Sequence, residues 1–241
     1  MEMPSIYQGS EVRLLYQHGD PAVSLAFEEA IARCGIPTFR VWVTSKCVVV
    51  GRFQKAGEEV DSEYCSEREI PVLRRFTGGG AVVLDEGVTC LAFCLPLQKN
   101  PLDIFHALSE CVGDAIGAEI DEKNNLFIEG KKVSGAAGCK KWGSLFHHLT
   151  LLVSCDMDLM RALTPGNSVQ SGTRSTAHEV TNVGKNLKDI LIRIARNVGN
   201  LLDAKVTPGK ITQEERGLAD YLLREKYMKP EWNLMGIDPV P

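Results

Sequence analysis

Three consecutive glycines, Gly78-Gly79-Gly80, interrupt a run of strand-forming residues, and they constrain this 241-residue chain more than any other feature. Pro71-Val72-Leu73-Arg74-Arg75-Phe76-Thr77 leads into them and Ala81-Val82-Val83-Leu84-Asp85 leads out. Glycine loses more backbone freedom on folding than any other residue. Three in a row therefore predict a sharp reversal between two strands, at a place where a ligand approaches the backbone amides. Arg74 and Arg75 add planar, permanently charged donors suited to carboxylate or phosphate. The combination predicts an anion cradle of amides and guanidinium. It is neither of the common nucleotide loops, because both of those open a helix, whereas these glycines open the run Ala81-Val82-Val83-Leu84.

A second constellation is Gly130-Lys131-Lys132-Val133-Ser134-Gly135-Ala136-Ala137-Gly138. Adjacent residues of a strand face opposite sides, so only one of the two lysines can enter a site. The small residues after them leave room for a ligand to lie on the backbone. Phe146-His147-His148-Leu149-Thr150 follows the same logic: the histidines diverge, so one could enter the site while its neighbour stays outside, and a hydrogen-bonded structural histidine is an equal alternative. Cys139 is the thiol nearest in sequence to these segments, and it reads as an incidental cysteine in a loop. Neither a Gly-x-Ser-x-Gly nor a His-Glu-x-x-His motif is present.

Around these segments the chain reads as one mixed α/β domain spanning residues 1–241. Asp20, Pro21 and Gly35 cap a helix carrying Leu25, Ala26, Ala30 and Cys34 at helical spacing. Strands are predicted over 38–44, 47–52, 71–76, 81–84, 88–95 and 145–154, with a hairpin at 126–128 and 131–133. Helices are expected within 57–69, from Asn100-Pro101 with Leu102, Phe105, Leu108, Val112 and Ala115 on one face, over 187–202, and from the capping box Thr212-Gln213-Glu214-Glu215 through Tyr227. The polar stretch 164–185 reads as a mobile functional loop.

Composition narrows the function classes. With 27 basic and 31 acidic residues the formal net charge is −4, which argues against nucleic-acid binding by phosphate neutralisation. The longest apolar runs fall far short of the roughly 18–20 residues that a spanning helix needs. The first dozen residues lack the pattern of a secretory signal. The eight cysteines show no Cys-x-x-Cys spacing, so they read as reduced thiols of a cytoplasmic protein. Cys90 and Cys94 lie about 13 Å apart along a predicted strand, too far to share a zinc, and no metal ligands are assigned.

Taken together, these segments resemble the lipoate–protein ligase A family, within the lipoate/biotin ligase superfamily. The likeness runs through Ser24-Leu25-Ala26-Phe27-Glu28-Glu29-Ala30, Val49-Val50-Gly51-Arg52-Phe53-Gln54, Glu58-Glu59-Val60-Asp61 and the Arg74–Asp85 core. It continues through Asn124-Asn125-Leu126, Lys132-Val133-Ser134-Gly135, His147-His148-Leu149-Thr150 and Glu231-Trp232-Asn233. The resemblance implies a class II synthetase-like, biotin–lipoate ligase fold, with a mixed, mostly antiparallel sheet flanked by helices. It also implies activation of lipoate by MgATP to lipoyl-adenylate, then transfer to a lysine of a lipoyl domain in a 2-oxoacid dehydrogenase E2 subunit, a glycine cleavage H protein or a similar acceptor.

By the same resemblance Arg75, Gly80, Ala81, Val82, Val83 and Lys132 would hold ATP. Lys132 would be the catalytic residue, bridging the lipoate carboxyl and the α-phosphate. Arg74, Thr77, Gly78, Gly79, Asn125, Ser134, Gly135, Ala137 and His148 would join it around lipoate and the adenylate. Leu84, Val88 and Asn125 stand where relatives often carry histidine, asparagine and aspartate. The chain ends soon after Glu231-Trp232-Asn233, which resembles two-part ligases whose accessory domain is a separate small subunit. The isolated chain is then expected to bind lipoate and ATP but to ligate poorly. Two other readings remain open: an ATP-independent octanoyl or lipoyl transferase working through a cysteine thioester, and a non-catalytic lipoate-binding protein.

Overall fold

A computed structural model of the protein describes residue 7 and residues 9–97, 101–164 and 178–240. Asn100, the Leu102 side chain and residues 165–177 of the predicted loop lie outside the described residues. In chain order the elements are β1 (Glu11–Gly19), α1 (Pro21–Cys34), β2 (Thr38–Thr44), β3 (Cys47–Val50), α2 (Ala56–Glu59), α3 (Ser62–Glu67), β4 (Val72–Arg74), β5 (Val82–Leu84) and β6 (Val88–Pro96). They continue with α4 (Pro101–Ile116), β7 (Glu119–Ile120), β8 (Leu126–Ile128), β9 (Lys131–Lys141), β10 (Ser144–Leu152), a 3-10 turn (Met157–Ala162), α5 (Leu187–Leu202), β11 (Lys205–Pro208), α6 (Gln213–Leu222), a π-helical turn (Leu223–Tyr227) and α7 (Pro230–Asn233).

The helices form where their caps dictate. The Asp20 carboxylate accepts from the Val23 amide at 3.0 Å, Pro21 opens α1, and Gly35 closes it at φ 70°. Thr212 and Glu215 complete the predicted capping box of α6, and the buried Glu215 carboxylate is ion-paired with Arg13 of β1. The amphipathic α5 buries Ile190, Ile194, Val198 and Leu202.

Among the described residues the main sheet has eight strands in the order β11-β1-β2-β6-β10-β9-β8-β7, and a small sheet has the order β4-β3-β5. β1 runs parallel to both β2 and β11, and every other pairing in the main sheet is antiparallel. This is the mixed, mostly antiparallel sheet that the sequence led us to expect. Its two faces are distinct. Phe39, Val41, Leu91, Phe93, Leu149 and Leu151 pack with residues of α4 and α5. Trp42, Val88, Cys90 and Leu152 point the other way, into a core shared with α1, α6 and the small sheet.

β7, β11 and α7 were not expected from the sequence, and three further elements differ from it. β1 shows no strand signal, because its buried residues Val12 and Leu15 do not alternate. The predicted strand 71–76 is only Val72–Arg74, so Arg75 belongs to the turn that follows. β9 runs eleven residues through Gly135-Ala136-Ala137-Gly138, residues that strands disfavour, because β8 pairs with its Lys131–Ser134 end and β10 with all of Ser134–Lys141. Cys139 therefore sits in a strand opposite Phe146, not in a loop. No helix among the described residues is long and apolar enough to cross a membrane.

Candidate active site

The second core does not fill the space between its layers. A cleft of about 890 Å³ opens there, floored by β6, β9 and β10 and roofed by residues 79–81 of the glycine turn and by β5 of the small sheet. Its buried lining is mainly apolar, with Leu25, Trp42, Val49, Leu84, Cys90 and Leu152 beside the buried Glu28 and Arg75. Its exposed mouth is polar, with Lys123, Asn125, Lys132 and His178.

The glycine turn forms the roof. Gly79 adopts φ +88°, and a Cβ there would lie 2.9 Å from Arg75 Nη2 and 3.3 Å from the Ala137 Cβ of β9. The glycine is thus needed twice, for its left-handed backbone and for its close approach to the floor. The Arg75 guanidinium is folded inside this turn. Its Nη2 donates to the carbonyls of Gly78 (2.6 Å) and Gly80 (2.7 Å), its Nη1 to Val49 O (3.3 Å), and its Nε to Gly78 O (3.1 Å) and Thr77 Oγ1 (3.2 Å). Burial lowers its pKa to about 10, while Glu28 works in the opposite direction. Arg75 brings its positive charge to the cleft wall and fixes the loop's shape.

Arg74 is a correction. The sequence places it against the substrate, but its side chain is fully buried away from the cleft. Its donors go to the carbonyls of Gly51, Arg52, Gln54, Trp232 and Leu234, and its own carbonyl accepts from the Trp232 indole at 2.9 Å. With every donor taken by protein, Arg74 is a strut that ties the C-terminal segment to the 51–54 turn. Thr77 and Gly78 also lie behind the cleft wall, the first as a hydrogen-bond relay and the second as a carbonyl partner of Arg75.

On the floor the two lysines of β9 part as expected. Lys131 faces solvent and pairs with Glu179 at 2.6 Å, whereas Lys132 turns into the cleft and lies over Gly135, its Nζ 3.2 Å from where a Cβ would stand. Among the described residues the Lys132 ammonium has no hydrogen-bond acceptor. Burial depresses its pKa, Lys123 adds to that and Asp121 opposes it. Beside it the buried Ser134 hydroxyl has no partner among the described residues. A buried hydroxyl without a partner is a costly arrangement in isolation, and beside a half-buried ammonium it fits an anionic head group. Asn125 also lines the cleft, its amide donating to Asp121 at 2.7 Å.

A buried relay connects roof and floor. His148 Nε2 is 2.7 Å from Thr77 Oγ1, and its Nδ1 is 3.0 Å from Glu28 Oε2. The other oxygen of Glu28 accepts from the Trp42 indole at 2.8 Å. Burial pushes the Glu28 pKa up, but His148, Arg40 and the Trp42 bond together outweigh it, so the carboxyl stays below its usual range. His147 faces the opposite side, stacked on Phe105 and 2.8 Å from Ser109 Oγ, and burial lowers its pKa to about 3.

The predicted residues Arg75, Gly79, Gly80, Ala81, Val82, Val83, Asn125, Lys132, Ser134, Gly135, Ala137 and His148 therefore converge on one cavity. Glu28, Trp42, Cys90, Lys123 and His178 line it too and were not singled out as site residues. The sequence carried no signal for them: Glu28 stands beside Glu29 in α1 and reads as one of two solvent-facing helix carboxylates. Cys139 does not line the cleft, and burial raises its pKa to about 11. Cys90 does, but burial, with Glu28 and Cys47, holds its thiol well above the usual range. Neither is an activated nucleophile. Among the described residues no group of three or more His, Cys, Asp or Glu side chains is placed to hold a metal ion. Chemically, the cleft can bury an acyl chain at one end and neutralise an anion between amides and an ammonium at the other.

Comparison with known proteins agrees with that chemistry. Lipoate-protein ligase A subunit 1 of Thermoplasma acidophilum is 29% identical over 92% of this chain and 95% of its own length. A crystal structure of lipoate-protein ligase A bound with ATP superposes with a TM-score of 0.84 at 28% identity, covering 94% of this chain and all of that one. A Thermoplasma acidophilum structure of a bi-partite lipoate protein ligase and its E2 lipoyl domain gives a TM-score of 0.84 at 30% identity, covering 95% and 98%. The profile of the lipoyl protein ligase A/B catalytic domain matches residues 20–197, and the chain belongs to that family.

Proposed function

We propose that the chain is the catalytic subunit of an ATP-dependent lipoate–protein ligase. One observation carries the proposal: the Gly79–Val83 roof and Lys132 face each other across a single cleft that also has an apolar end. Lipoate would lie with its dithiolane tail toward Trp42, Cys90 and Leu152 and its carboxylate beneath Lys132. The nucleotide would lie along Gly79–Val83. Attack of a carboxylate on the α-phosphorus brings two anions together. Lys132 offsets that repulsion where charge accumulates, and the buried cavity strengthens the interaction by excluding water. Magnesium would arrive on the triphosphate.

Attack by an acceptor lysine on the acyl carbon would then release AMP and form the amide. Similarity to one subunit of a two-part ligase, over 95% of that subunit, supports a separate accessory subunit. The Thermoplasma acidophilum relative, described as a bi-partite lipoate protein ligase together with its E2 lipoyl domain, supports a lipoyl-domain acceptor. The eight free thiols favour a reducing compartment, the cytoplasm. A thioester-forming transferase is the poorer reading, because the cleft's one thiol, Cys90, is held protonated.

The test combines the chain, the accessory subunit, MgATP, lipoate and an apo lipoyl domain, with mass spectrometry of the acceptor. One lipoyl group added on a single lysine, dependent on ATP, is expected. Modification without ATP would point to acyl transfer, and lipoate binding without modification to a carrier.

A further inference from the structure

Two glutamates stand side by side in α1 and both are buried, yet they keep different company. Glu29 takes the Arg33 guanidinium, the Lys226 ammonium and the Tyr227 hydroxyl, and so ties α1 to the C-terminal part of the chain. Glu28 lines the cleft, where its oxygens accept from the Trp42 indole and from His148. A negative charge in the wall of a cavity meant for anionic ligands works against binding them. Its presence calls for a task.

The hydrogen bonds around Glu28 run in one direction. Burial works against its charge, but His148, Arg40 and the Trp42 bond hold the carboxyl below its usual range, and an ionised carboxylate can only accept. The bonding network therefore assigns the His148 proton to Nδ1, 3.0 Å from Glu28 Oε2. Arg75 Nε donates to Thr77 Oγ1 at 3.2 Å, which leaves the Thr77 hydrogen for His148 Nε2 at 2.7 Å. Arg75, Thr77 and His148 thus each donate to the next, and the chain ends on the Glu28 charge. Bonds in such a chain strengthen one another.

The other end of the chain is the roof. Arg75 also donates to the carbonyls of Gly78 and Gly80, so any rotation of the guanidinium displaces the glycine turn. The imidazole is held from its own side too, edge-on to Phe146 and opposite Ala137, the residue that Gly79 approaches. Thr77 itself lies behind the cleft wall.

We propose that Glu28 is a positioning residue for the nucleotide: it orients His148 and, through Thr77, sets the Arg75 guanidinium that shapes the Gly79–Val83 roof. The inference rests on the ligase reading for its substrate. Glu28→Gln tests it sharply. The indole can only donate, so Gln at this position would give its oxygen to Trp42 and its amide to His148. The imidazole proton would move to Nε2, and the Thr77 hydrogen would lose its acceptor.

The experiment uses the full chain with its accessory subunit and compares wild type, Glu28→Gln, Thr77→Val, Thr77→Ser and the double variant Glu28→Gln/Thr77→Val. Lipoate-dependent pyrophosphate release is measured against ATP and against lipoate. A fall of about 10-fold in kcat/KM for ATP is expected in Glu28→Gln and in Thr77→Val, with the KM for lipoate changed by less than about threefold. Thr77→Ser, which keeps the hydroxyl, should recover most of the loss. Because both residues act through one chain, the double variant should be no more than about twofold worse than either single one. Nitrogen-15 NMR of labelled histidines at pH 8.5, with His148→Asn to assign the signal, should show the His148 proton on Nδ1 in wild type and on Nε2 in Glu28→Gln.

An unchanged kcat/KM for ATP in Thr77→Val would overturn the proposal, even if Glu28→Gln failed to fold. So would losses that multiply in the double variant, losses that fall equally on ATP and lipoate in step with the melting temperature, or a wild-type His148 protonated on Nε2 alone. Should wild type release no pyrophosphate, the ligase reading itself fails. Calorimetric titration with a non-hydrolysable ATP analogue then decides the positioning role, since binding must occur in wild type and weaken in Thr77→Val.

Discussion

The two walls of the cleft hold their cations in opposite ways. In the roof, Arg75 gives its guanidinium to the carbonyls of Val49, Gly78 and Gly80 and to the Thr77 hydroxyl, so its donors are spent on protein. In the floor, the Lys132 ammonium has no acceptor among the described residues and is partly desolvated. A guanidinium saturated by carbonyls builds a shape and lends a field. An ammonium without an acceptor is held ready for a ligand's charge. Arg74 extends the first case to its limit, with five carbonyl partners and no face on the cleft. Geometry, not residue type, separates scaffold from chemistry here.

Breaking the contrast at its strongest point should have the largest effect. Lys132→Ala is expected to reduce lipoate-dependent pyrophosphate release by about a thousandfold, the scale of a lost transition-state donor. It should leave the melting temperature almost unchanged, because among the described residues that ammonium has no hydrogen-bond acceptor and only the charge of Asp121 acts on it favourably. Arg74→Met should do the reverse. With buried carbonyls stripped of their partner, denaturant unfolding should show a loss of about 3–5 kcal/mol, with ATP affinity falling only as the roof loosens.

Glycine at the roof sharpens the same comparison. Gly79→Ala places a methyl 2.9 Å from Arg75 Nη2 in a left-handed backbone, a strain of about 1–3 kcal/mol. The KM for ATP should rise more than the KM for lipoate in steady-state kinetics.

The paired histidines offer a pH version. His147 is held neutral by burial, with its pKa lowered to about 3. The unfolded chain, titrating near 6.5, binds a proton that the folded chain does not. Stability contributed by this residue is therefore complete above about pH 6.5 and falls by up to about 1.4 kcal/mol per pH unit as the pH drops toward the folded value. His147→Leu should flatten that part of the curve in denaturant titrations between pH 7 and 4. The smallest effect belongs to Lys131→Ala. Its partner Glu179 is exposed, and turnover should stay within about twofold of wild type, since exposed ion pairs contribute little.

How much of this was readable beforehand depended on whether the deciding contacts were local. Caps are local, so α1 and α6 could be placed from Asp20, Gly35, Thr212 and Glu215. Strand alternation is local, so Lys131 could be separated from Lys132 and His147 from His148. Arg74 and Arg75 were indistinguishable in sequence, because what separates them is Trp232, 158 residues away. Glu28 was hidden for the same reason. A glutamate on a helix defaults to solvent, and only Trp42, Arg40 and His148, brought in from β2 and β10, make its burial tolerable. β9 was cut short because glycine and alanine carry no strand signal, although β10 supplies the pairing along that stretch.

The central claim is that Lys132 and the Gly79–Val83 roof share one head-group site. A crystal structure with a non-hydrolysable lipoyl-adenylate analogue tests it directly. The account predicts the phosphate analogue within hydrogen-bond reach of both Lys132 Nζ and the roof amides, with the acyl tail running toward Trp42 and Cys90. A phosphate held away from Lys132, or an acyl tail outside the cavity, would contradict it.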